Sequence, residues 1–114
     1  MPAKRILLEV GSGNDWHGGD YTKAAVRAVE DAIHHSSLTL LHTLDIDPGT
    51  MLVDVAIGVQ QPDKVDPNIV KAVLPEGQVT VNVVKGGLDI PNRGPDDVTV
   101  IAVAALRVHL DLGR

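Results

Sequence analysis

The chain has 114 residues, of which 44% are hydrophobic and 2% aromatic, with a formal net charge of −5 and no cysteine. That length fits a single domain, residues 1–114, and suffices to bury a core without metal or disulfide support. The composition excludes disulfides, thiol nucleophiles and thiolate metal sites, and scattered Lys and Arg on an acidic chain argue against a nucleic-acid partner.

In chain order, Arg5–Val10 reads as a short apolar strand that ends at Gly11. Gly11–Asp20 carries four glycines and reads as a loop. Tyr21–His35 is the first predicted helix, because Ala24, Ala25, Ala28, Val29, Ala32 and Ile33 recur at helical spacing behind Asp20, a natural N-cap. Leu38–Leu44 is ambiguous; it reads either as irregular chain or as a strand turning back through Asp47-Pro48-Gly49. Met51–Val59 alternates as a half-buried strand. Asp66-Pro67 opens a second, short helix over Pro67–Leu74, since Pro is favoured at the first helical position. Gln78–Lys85 alternates again, with Val79, Val81 and Val83 inward. Val98–Leu110 is apolar on both faces and reads as a central strand or one covered by a second subunit.

These elements predict an α+β fold: a four- to five-stranded mixed sheet with two helices packed on one face. Two topologies remain open. If both helices are crossovers between parallel neighbours, the strand ends at Val10, Val59 and Lys85 share one edge; an extra strand over Leu38–Leu44 would move Lys85 to the far edge. The aliphatic open face predicts a homo-oligomer, a trimer or larger ring. No apolar run is long enough to span a membrane. The N-terminal apolar stretch is too short for a signal-peptide core, so a cytoplasmic protein is expected.

The chemistry concentrates in Gly11–Asp20. A loop between a strand and a helix is where α/β folds bind ligands, and glycines with free N–H groups at a helix start favour an anion. Gly11, Gly13, Asn14, Gly18 and Asp20 are the expected ligand-binding backbone and side-chain groups. Trp16 stands where a dinucleotide fingerprint needs its third glycine, and no Gly-Lys-Ser/Thr follows. Asp15 and His17 are the candidate catalytic pair, with His17 as acid/base and Asp15 orienting it. The same pair is the donor type a divalent metal such as zinc takes. His34 and His35 lie about 20 Å away along the helix, at 1.5 Å per residue, and are poor third ligands. Lys85 and Arg93, flanking a second Gly-rich stretch, could bind a carboxylate or phosphate. His42 and His109 read as strand residues, and Asp45, Asp47 and Asp63 as turn residues. No nucleophile elbow or Ser–His–Asp spacing is present.

Gly11-x-Gly13-x-Asp15-x-His17-Gly18 matches the signature GxGxDxHG. On it the chain resembles a family of small conserved hypothetical proteins from bacteria and plants. The helix Tyr21–His35 and the segment Gln78–Leu88 also look like that family. Weaker is the likeness to cyclodiphosphate synthase, a homotrimer whose similar start supplies Asp and His to zinc; it implies those roles for Asp15 and His17, but Gly18-Gly19 departs from its continuation. Gly19–Lys23 is similar to a helix start in the ring-opening amidohydrolases. Their Ser–Lys chemistry runs in the opposite chain order to Ser36-Ser37 and Lys85. Three functional readings follow from the residues and the resemblance. The first is a small oligomeric protein with a ligand-binding or hydrolase-like site on Gly11–Asp20. The second is a divalent-metal-binding protein using Asp15 and His17. The third is a non-catalytic assembly module in which the loop and Trp16 form a subunit contact.

Overall fold

A computed structural model describes residues 4–34, 51–74, 77–94 and 97–110. The fold is α+β: a mixed sheet of five strands, with both helices on one face. In chain order the elements are β1 (Lys4–Asp15), α1 (Tyr21–His34), β2 (Met51–Val59), a 3₁₀ turn at Pro62–Lys64, α2 (Pro67–Lys71), β3 (Gln78–Lys85), β4 (Leu88–Pro91) and β5 (Val98–Leu110).

The last strand is the spine of the sheet. The order is β1-β5-β2-β3. β5 runs antiparallel to β1 along one edge, from Lys4↔Leu110 to Asp15↔Val100. Its other edge is shared: β2 covers Val103–Leu110 and β4 covers Val98–Ile101. β2 and β3 are parallel. The parallel-neighbour topology is corrected in its order alone: β1, β2 and β3 point the same way, so their C-terminal ends lie towards one end of the sheet, but β5 is inserted between β1 and β2. Lys85 ends up on the edge strand opposite β1. Leu38–Leu44 and His42 lie outside the described residues.

β3 passes into β4 through Gly86-Gly87, and the chain steps from the outer edge back onto β5. Gly87 makes the step possible. Its φ is +62°, and a Cβ there would sit 2.1 Å from the Ile101 carbonyl oxygen.

The core lies between the sheet and α1. Tyr21, Ala24, Ala25, Ala28, Val29 and Ala32 form the buried face of α1. They meet Met51, Val53, Val55 and Ile57 of β2 and Val100, Ala102, Ala104, Leu106 and Val108 of β5. Period-2 burial on the strands and the helical stripe on α1 are what their sequence patterns predict. Asp20 caps α1: the Lys23 amide donates to Asp20 Oδ1 at 3.0 Å. Asp66 caps α2 in the same way through Asn68 N, 2.9 Å.

One boundary differs from expectation. β1 does not stop at Val10 but pairs with β5 as far as Asp15. The extension is glycine-rich because α1 lies directly on it. A Cβ at Gly11 would be 2.4 Å from Ala32 N, and one at Gly13 would be 2.3 Å from Ala28 N. Alanines at 24, 28 and 32 give the helix its matching flat side. At Gly11 and Gly13, expected as ligand-cradling positions, helix backbone fills the space beside each Cα.

Candidate functional site

The segment Trp16–Asp20 is the true loop, and it sits at the end of the sheet where β1 hands over to α1. Its backbone is tied to the β4–β5 connection. Thr99 Oγ1 donates to the Trp16 carbonyl at 2.7 Å, and Asn92 Nδ2 reaches the same oxygen at 3.4 Å. Asn92 Nδ2 also donates to Thr99 Oγ1 at 3.0 Å. The indole of Trp16 stays outside, 62% exposed.

Asp15 and His17 diverge. Asp15 is buried, and its Oδ2 accepts from the Asp20 amide at 2.9 Å. Arg27 Nη1 lies 3.9 Å from its other oxygen and donates to the Asn14 carbonyl at 2.5 Å. Asp15 is therefore a loop-closing group at the start of α1. Gly18 fits against it, since a Cβ there would sit 2.9 Å from Asp15 Oδ2. Asp15 does not orient His17. That role falls to Asp97: His17 Nδ1 lies 2.9 Å from Asp97 Oδ1, across 80 residues of chain.

An ionised carboxylate only accepts, so the proton of this bond is on Nδ1 and Nε2 is directed away from Asp97. The His17 side chain is 76% exposed. Asn92 Nδ2 donates to the same Asp97 oxygen at 3.3 Å. The hydrogen bond from His17, and after it the one from Asn92, hold the Asp97 carboxyl below its usual value; partial desolvation opposes them. Followed by carbon NMR, the Asp97 carboxyl should titrate below an ordinary aspartate and move up in His17→Ala. The linkage sign follows: a depressed acid contributes stability above its unfolded pKa and loses it as pH falls through the folded one.

A second polar cluster lies on the helix side of the sheet. Tyr21 is buried, and its hydroxyl donates to Asp89 Oδ2 on β4. Gln61 Nε2 donates to the same hydroxyl at 2.8 Å. Asp89 Oδ1 is buried without a hydrogen-bond partner among the described residues. In register, Asp89 and Asp15 both pair with Val100, one on each side of β5. Burial, then the bond to Asp89 and its charge, push the Tyr21 phenol up to about 12.

Of the other sequence candidates, Asn14 gives its carbonyl to Arg27, and Asp20 is spent on the helix cap. The Arg93 backbone hydrogen-bonds Asp97, which brings its chain beside His17. Lys85 instead lines a shallow trough with Val10, Ser12, Asp31, Gly58 and Val103. His109 Nδ1 lies 3.8 Å from Asp54, a partnered strand histidine. The Asp15 carboxylate is turned to the helix start and the His17 imidazole to Asp97, so the two do not converge as one donor set. Among the described residues no three His, Asp or Glu side chains gather as metal ligands. Sequence reasoning passed over Asn92, Asp97 and Thr99. They lie far along the chain in a stretch of turn-forming residues, and only the β4–β5 pairing carries them to the loop.

The chain belongs to the conserved hypothetical protein family Lin0512_fam, which it matches over residues 5–108. This is the kind of small conserved family that the sequence resembles. The chain is also similar to the crystal structure of an FtsZ-like protein of unknown function from Nostoc punctiforme. The two share 34% sequence identity with a TM-score of 0.85, over 97% of this chain and 98% of that one. No curated protein matches the chain.

Proposed function

We propose that this protein binds a small polar or anionic ligand at the end of the sheet, with the His17 imidazole as the contact group. The observation that carries the reading is the His17–Asp97 hydrogen bond, which fixes an exposed ring. The bond holds the ring in one orientation, so less side-chain entropy is left to lose when Nε2 meets a ligand. Held this way, Nε2 accepts a hydrogen bond from a hydroxyl or, once protonated, donates one to a carboxylate or phosphate. Asp97 would be a positioning residue. The Nostoc punctiforme relative is itself of unknown function, so the site's own chemistry supports the assignment.

Trp16, one residue away and largely exposed, reports on the site by fluorescence. Acetate, inorganic phosphate, small diols and zinc chloride form a suitable panel. The expected result is a saturable change with at least one non-metal member, weakened tenfold or more in His17→Ala at an unchanged melting temperature. A response to none of them, or equal responses in the variant, would contradict the assignment.

A further inference from the structure

The face of the sheet turned away from the helices is uncovered among the described residues, and it is not a solvent face. Antiparallel sheets with one open side normally alternate apolar-in and polar-out. Here Val10, Val84, Leu88 and Val103 point outward at 66%, 55%, 56% and 45% exposure. The register sets these side chains in rows across the sheet. One row runs Ser12, Val103, Gly58, Val84; the next runs Val10, Ala105, Ala56, Asn82; the next runs Leu8, Arg107, Asp54, Thr80.

The two middle strands, β5 and β2, differ in a matched way. Where β5 carries Val103, β2 carries Gly58. Where β5 carries Ala105, β2 carries Ala56. Where β5 carries Arg107, β2 carries Asp54. A two-fold axis running along the strands between β5 and β2 would exchange the two columns of facing sheets. It would set each Arg107 over the other copy's Asp54, cation over anion, and would bring the two exposed Val103 side chains together at the axis, each already lying against its own chain's Gly58.

The available area agrees. The four strands, 12, 13, 9 and 8 residues long, give a face of roughly 670 Å², at about 3.3 Å per residue and 4.8 Å per strand. A standard stable interface buries about 800 Å² per partner. Sheets stacked this way pack about 10 Å apart with strands within about 30° of each other. At the polar end Thr80 Oγ1 donates to Asp54 Oδ1 at 2.5 Å and His109 stands 3.8 Å from Asp54, so part of the carboxylate's hydrogen bonding is met within its own chain.

We infer that the occupant of this face is a second copy of the chain, packed sheet to sheet as a two-fold dimer. The pairing is an isologous closed contact, which needs no ring. It uses a face separate from the His17 loop, so it stands or falls independently of the ligand reading.

Sedimentation equilibrium at micromolar concentration tests it. Wild type should have twice the 12.1 kDa chain mass. Arg107→Asp leaves two acids in the contact row, and Asp54→Arg leaves two bases. Each variant alone should sediment as a monomer, and an equimolar mixture should recover the doubled mass as a heterodimer. Repair within one chain cannot produce that recovery. Where either charge variant loses its circular dichroism, Val10→Glu takes its place and should also be monomeric. A monomeric wild type, a trimer or larger ring, or a mixture that stays monomeric although both variants are folded would overturn the inference.

Discussion

Gly13→Ala should lower stability by about 3 kcal/mol or more, at the upper end of overpacking costs. The added methyl would lie 2.3 Å from Ala28 N, 2.5 Å from the Ala24 carbonyl oxygen and 2.6 Å from the Arg27 carbonyl carbon. All three neighbours are helix backbone, so no side chain can rotate away. Relief requires α1 to lift off β1, which would uncover Ala24, Ala28 and Val29, all fully buried. A loop glycine would behave otherwise. Gly94 has nothing within 4 Å of its notional Cβ, and Gly94→Ala should be neutral or stabilising by about 0.4–1 kcal/mol through the unfolded chain. Urea unfolding of the two variants measures the contrast. A Gly13→Ala midpoint equal to that of Gly94→Ala would mean that the helix does not rest on β1.

Tyr21 should remain a neutral phenol until about pH 12. It is the only tyrosine in the chain, so the rise in ultraviolet absorbance on forming phenolate reports it alone. The ordinary value is 10.0, and the unfolded chain should show that. Burial is the main cause, and Asp89 adds a hydrogen bond and a like-charge penalty on the phenolate. The sign is that of a raised acid. Its stabilisation is full below pH 10 and is lost as pH climbs from 10 towards 12. The loss amounts to about 2–3 kcal/mol at about 1.4 kcal/mol per pH unit. Asp89→Asn should bring the absorbance rise to lower pH while leaving burial in place. A rise near pH 10 in the folded protein would mean that the phenol is solvated.

Much of the fold was legible because its signals are periodic. The alternation in Met51–Val59 and Gln78–Lys85 and the alanine stripe of α1 each follow one geometric period, and the structure uses each as expected. The two-sided apolar character of Val98–Leu110 marked the central strand, and β5 is bordered by strands on both edges. Strand order was not legible, because insertion of β5 between β1 and β2 depends on non-local pairing that no local pattern encodes. The glycine run was ambiguous for a different reason. Gly11 and Gly13 have the composition of a ligand loop, yet they are glycines because a helix backbone passes over them. The sequence marked Asp15 and His17 together as the chemically capable pair, but β1 ends at Asp15 and the following turn sends the two side chains apart, so His17 meets Asp97 instead. Asp97 could be found only once β4 and β5 were paired.

The most direct measurement is the Trp16 fluorescence titration run side by side on wild type, His17→Ala and Asp97→Asn. The expected result is saturable binding of a small carboxylate, phosphate or hydroxyl compound by wild type. His17→Ala should lose that binding, Asp97→Asn should weaken it, and all three proteins should melt at similar temperatures. Equal binding by all three, or by none, would contradict a ligand site centred on His17.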